Sequence, residues 1–130
     1  MSRIVLDASA LLAVLNEEAG AEKLTAQSGL LDNAVISTVN LAEVHSKLVD
    51  HGIDEGEAWE AVVSPVHEVM VFTSEHARIA GGLISQTRSR GLSLGDRACL
   101  ALGIALKAPV YTADKDWKNL KLGIRIHVIR

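Results

Sequence analysis

Short runs of consecutive apolar, β-branched residues alternate along this chain with stretches whose apolar residues recur at helical spacing. That alternation restricts the fold more than any other feature. Arg3 to Asp7 (RIVLD) and Ala34 to Thr38 (AVIST) read as strands buried on both faces, as do Glu68 to Phe72, Val110 to Thr112 and Ile124 to Ile129. Between them, helices are predicted over Ser9–Asn16, Ala21–Gln27, Leu41–Val49 (closed by Gly52) and Asp54–Val63. Further helices are predicted from a Ser74 cap to about Ser89 and over Asp96–Lys107. Strands without a polar face need cover on both sides. The expected fold class is therefore α/β, a parallel sheet between layers of helices.

At 130 residues the chain fits one domain, expected to span 1–130. Its longest apolar stretch, Ala98 to Leu106, falls well short of the ~20 residues of a membrane span. MSRIVLD meets an aspartate too early for a signal peptide, so a cytoplasmic protein without a membrane role is expected. One cysteine, Cys99, excludes an internal disulfide and a cysteine-rich zinc site, and it reads as a small core residue. The five histidines lack metal-ligand spacing.

Charge is divided unevenly. Residues 1–77 hold thirteen acids against three bases, whereas residues 78–130 hold ten bases against three acids. The basic half suits a polyanion. Its three acids are Asp96, Asp114 and Asp116, an unusual place to keep the only negative charges.

In open parallel sheets, sites form beyond the carboxyl ends of the strands. Asp7 ends the first strand, Glu43 lies in the helix after the second, and Asp114 directly follows the fourth. Asp96 can reach the same edge from the start of its helix. Each acid also has a local alternative. Asn40-x-x-Glu43 and Ser93-x-x-Asp96 fit capping boxes; Asp7 or Ser9 can cap the first helix, and Asp114 or Asp116 a turn before Trp117. Carboxylates gathered at one edge repel by about a few kcal/mol per close pair, so collecting them calls for a cation. Oxygen ligands suit Mg²⁺ or Mn²⁺.

The succession VLDASALLA, STVNLAEV, LSLGDRACLALG and VYTADKDW resembles the PIN-domain ribonucleases, especially the VapC-like toxins of prokaryotic toxin–antitoxin pairs. The likeness covers nearly the whole chain, with all four motifs in the family's order. It implies a three-layer α/β/α fold with a five-stranded parallel sheet in order 3-2-1-4-5. It also implies an acidic quartet of Asp7, Glu43, Asp96 and Asp114, with Asp116 as an accessory acid and metal ligand. Ser9, Thr112 and Asn40 are implied as supporting residues, Asn40 being equally suited to a cap. The implied activity is Mg²⁺- or Mn²⁺-dependent endoribonuclease cleavage of tRNA, rRNA or mRNA. The implied partners are a cognate antitoxin and a second copy of the chain.

Arg88, Arg90, Arg97, Lys115, Lys118 and Lys121 flank the acids of the basic half and are candidate RNA contacts. Tyr111 and Trp117 are the nearest stacking candidates, although Tyr111 suits the core better. Three alternatives carry different expectations. A housekeeping PIN-type nuclease would use the same site, and a haloacid-dehalogenase-type phosphatase would need a second aspartate where Ser9 stands. A silent or receiver-like module would bind no divalent ion at the acids or would need a phosphoacceptor aspartate after the third strand, which ends VFTS.

Overall fold

The structure is a computed structural model that describes residues 2–26 and 29–130. Five short strands, β1 (Ile4–Leu6), β2 (Ala34–Ser37), β3 (Glu68–Met70), β4 (Val110–Thr112) and β5 (Ile126–Val128), form one sheet. All neighbours are parallel, as expected from the alternation of strands and helices, and the order is β3-β2-β1-β4-β5, as the resemblance implies. β1 is central. The chain steps from it to β2 on one side and returns to its other side only with β4. Connections therefore diverge beyond the carboxyl ends of β1 and β4, the place where open parallel sheets put their sites.

Among the described residues, seven helices cover the sheet: α1 (Ala8–Leu15), α2 (Glu22–Thr25), α3 (Thr38–Asp50), α4 (Glu55–Val63), α5 (Ser74–Gly82), α6 (Ile84–Thr87) and α7 (Leu94–Leu106). Strand alternation sends Leu6 and Ile36 toward α1 and its neighbours, and Val5, Val35 and Val110 toward α7. Each fully buried aliphatic side chain contributes roughly 1.5–3 kcal/mol, and these strands are buried throughout in β1 and β2. α7 packs tightly on the sheet at Gly103, where an added Cβ would stand 2.5 Å from Val110 Cγ2. Among the described residues, no helix is long and apolar enough to cross a membrane.

Several boundaries differ from the sequence reading for physical reasons. α3 starts at Thr38 rather than Leu41, because Ser37 accepts the Val39 N–H and caps it. Asn40 is thus inside the helix and is not its cap. α5 is capped by Thr73 in a reciprocal capping box with His76, not by Ser74. It ends at Gly82; α6 and a 3-10 turn over Arg88–Arg90 then lead to Gly91, whose positive φ of 67° lets the chain turn. α7 begins at Leu94, two residues before Asp96. β3 is an edge strand with Glu68 and Val69 exposed, so it is not buried on both faces. The helix predicted to reach Gln27 is described as far as Thr25, and Gln27 lies outside the described residues.

Candidate active site

Asp7 leaves β1 with extended backbone and caps α1, accepting the Ala10 N–H at 2.8 Å through Oδ1. The Ser9 hydroxyl lies 2.8 Å and 2.9 Å from the two carboxyl oxygens. The Thr112 hydroxyl, at the end of β4, donates to Oδ2 at 2.6 Å. The same two hydroxyl oxygens accept the backbone N–H groups of the next loop. Ser9 Oγ takes that of Ala113 at 2.8 Å and Thr112 Oγ1 that of Asp114 at 3.0 Å. Neighbouring strands β1 and β4 are thus joined beyond their ends by one polar network, and that network fixes the start of the loop carrying Asp114.

Asp7 is only 3% exposed. Burial pushes its carboxyl up to about 6, against hydrogen bonds from Thr112, Ala10 and Ser9 that lower it, and the Asp96 charge adds to the rise. Asp96 sits in the first turn of α7, half-buried. Its Oδ2 accepts the Ser93 N–H at 2.9 Å while Ser93 Oγ accepts its N–H at 3.1 Å, the capping box expected from the sequence.

Glu43 is positioned from two elements. Asn40, one turn earlier on α3, donates its Nδ2 to Glu43 Oε1 at 2.9 Å and to the Gly95 carbonyl at 2.9 Å. Asn40 is 1% exposed, and its Oδ1 is buried without a partner among the described residues. Gly95 makes the approach possible. A Cβ there would lie 2.6 Å from both Glu43 carboxyl oxygens. The sequence reading did not single out Gly95. Its only signal is a glycine directly before Asp96, and the partner stands 52 residues away.

Three of the acids, Asp7, Glu43 and Asp96, lie near the start of α7. Burial drives the Cys99 thiol well above its ordinary value, and Asp7, Asp96 and Glu43 push it further, so all three charges act at one buried point of that helix. Asp114 joins through Thr112, and its Oδ1 accepts the Asp116 N–H at 2.9 Å. Asp116 itself points from an exposed 3-10 turn over Lys115–Trp117. None of the five acids has a Lys, Arg or His within ion-pair distance among the described residues. Equally, no three His, Cys, Asp or Glu side chains there come close enough to cage an ion by themselves. An all-oxygen donor set with unneutralised charge, a carboxyl raised by burial and an orphaned Asn40 Oδ1 fits a hard divalent ion that keeps some of its waters.

The candidate RNA contacts divide. Arg88, Lys115, Lys118 and Lys121 are exposed. Arg97 instead donates to the Ala80 carbonyl at 2.9 Å, with its Nε buried, and ties α7 to α5. Arg90 donates to the carbonyls of Asp116 and Lys118 and braces that loop. Trp117 is fully buried and cannot serve as a stacking platform. Tyr111 is half-buried and stacks on His127, ring centroids 4.5 Å apart.

The PIN domain model matches residues 4–122 of the sequence. No curated protein sequence matches the chain. Solved structures of similar shape include a VapC toxin of Mycobacterium tuberculosis that cleaves the sarcin–ricin loop. It is 20% identical with a TM-score of 0.73, and the match covers 94% of this chain and 98% of that one. A VapBC complex from Rickettsia felis, bound to a fragment of its promoter DNA, is 18% identical with a TM-score of 0.72, covering 95% and 96%. A toxin–antitoxin complex from Klebsiella pneumoniae is 19% identical with a TM-score of 0.70, covering 93% and 94%. The family model spans all five acids and the hydroxyls that hold them, and this chain belongs to the PIN domain family.

Proposed function

We propose that this chain is a metal-dependent endoribonuclease, the toxin of a toxin–antitoxin pair, hydrolysing RNA phosphodiester bonds with Mg²⁺ or Mn²⁺. One observation carries the reading: Asp7 is buried, oriented by three donors, set near Asp96 and left without a cationic side chain. Such a carboxylate is unfavourable in the free protein and becomes favourable when a cation neutralises it. When bound, the ion supplies Lewis acidity that activates water and offsets charge on the leaving oxygen.

In this proposal Asp7, Asp96 and Asp114 hold the ion, with Asp116 as an accessory acid. Glu43 either completes that set or orients the attacking water. Ser9 and Thr112 fix Asp7 in one rotamer, and Asn40 fixes Glu43. Exposed Arg88, Lys115 and Lys118 draw the RNA backbone to the edge of the site. The Rickettsia and Klebsiella complexes pair this fold with an antitoxin, which supports a cognate antitoxin as partner; a homodimer belongs to the same proposal. The cytoplasm is the proposed location.

Asp7→Asn and Asp96→Asn are each expected to lower RNA cleavage by roughly a hundredfold or more in Mg²⁺, since several kcal/mol of charge stabilisation depend on the ion. Chelation should abolish wild-type cleavage. Full activity in both variants, or cleavage that ignores chelation, would overturn the assignment.

A further inference from the structure

A cavity of about 790 Å³ opens beside the loop that carries Asp114, on the sheet's β5 side. Its walls bring together residues that the sequence keeps far apart: Lys23 of α2, Lys115 and Lys118 of the loop, Arg130 at the chain end, and the Tyr111–His127 pair. Tyr111 and His127 are register partners on β4 and β5, and their rings stack at 19° to one another. Arg130 is occupied by Glu18 at 2.9 Å. Lys23, Lys115 and Lys118 have no acidic side-chain partner among the described residues, and no acidic side chain is among the cavity's described lining. Three ammonium groups around a concave wall focus their field on whatever anion enters. A flat aromatic pair beside them accepts a planar ring.

We propose that this cavity is an auxiliary RNA subsite that takes one nucleotide outside the scissile bond, its phosphate against Lys23, Lys115 and Lys118 and its base on the Tyr111–His127 pair. The proposal rests on the ribonuclease reading. It follows from juxtaposition: Lys115 is adjacent to Asp114, so a strand whose phosphodiester lies at the acids has its flanking nucleotides within reach of the cavity. Both ligand features are needed. A free phosphate uses the lysines alone, and an acidic peptide uses the lysines without the rings.

Binding is measured by anisotropy of a fluorescein-labelled single-stranded RNA oligonucleotide in EDTA, which separates association from cleavage. Lys23→Ala combined with Lys118→Ala is expected to weaken binding about tenfold and to flatten the slope of log Kd against log salt by about 1.4, two lost contacts at ~0.7 each. His127→Ala should weaken binding by roughly tenfold and leave that slope unchanged, the mark of lost stacking. Lys23 and Lys118 are exposed, so the double variant is expected to fold. If the wild type cleaves RNA while these variants bind it as the wild type does, the subsite is wrong and the ribonuclease reading stands. A wild type that neither binds nor cleaves RNA overturns both. Competition by pentaglutamate, with His127→Ala indistinguishable from wild type, would assign the cavity to an acidic protein segment and overturn the proposal.

Discussion

Asp7 binds its proton more tightly in the fold than in the unfolded chain, because burial raises its carboxyl from 3.8 to about 6. Below about pH 3, a unit under the unfolded value, the group is neutral in both states and has no effect on stability. As pH rises toward 6 the unfolded chain loses the proton first, so stability falls, by about 3 kcal/mol once both states are ionised. Asp7→Asn removes this penalty and keeps an oxygen for the Ala10 N–H. We expect the metal-free variant to be more stable than wild type by about 1–3 kcal/mol above pH 6, with the gain vanishing below about pH 3. Urea unfolding across that range measures it. Gly95 makes a different prediction. In Gly95→Ala the new methyl displaces the end of a flexible side chain rather than backbone, so melting should change little while cleavage falls at least about tenfold through loss of the Glu43 position. Circular dichroism and a cleavage assay on one sample separate the two effects. The positions of Asp7, Asp96 and Asp114 were legible in the sequence because each stands beside a recognisable strand end or cap. Gly95 and the inward turn of Asn40 were not, since both depend on α3 meeting α7.

At the scale of elements, β1, β2 and β4 were readable because β-branched runs flanked by acid or hydroxyl residues leave little else to form. Helix starts were less so. Thr38 and Val39 continue a β-like composition past the end of β2, and only the Ser37 cap and packing of Leu41 and Val44 turn them into helix. The break between α5 and α6 falls at Leu83, directly after the helix-weakening pair Gly81–Gly82. α7 was predicted well, and its fit to the sheet is tight at Gly103. Alanine there gains about 1 kcal/mol of helix propensity but forces Val110, Ile124 or the helix to move. Overpacking of this kind costs roughly 1–3 kcal/mol, so Gly103→Ala is expected to destabilise by up to about 2 kcal/mol net in equilibrium unfolding. A stabilised variant would mean that α7 can lift from β4 without loss.

For the whole molecule, strand alternation announced the parallel sheet, and charge asymmetry the basic surface beside its carboxyl edge. The asymmetry did not distinguish bases that brace the structure from bases left free. Arg90 and Arg97 turn inward onto backbone carbonyls, whereas Lys23, from the acidic half, joins the basic cavity. Sequence distance hides such exchanges because long side chains settle on partners chosen by the fold. Trp117 carries a last consequence. The chain has two tryptophans: Trp59 is 43% exposed, and Trp117 is sealed in the core one residue after Asp116. Any movement of the loop holding Asp114 must carry an indole from an apolar setting toward water. With Trp59 replaced by phenylalanine, the protein's ultraviolet emission becomes an internal optical gauge of that loop, readable without a label while ions or RNA are added.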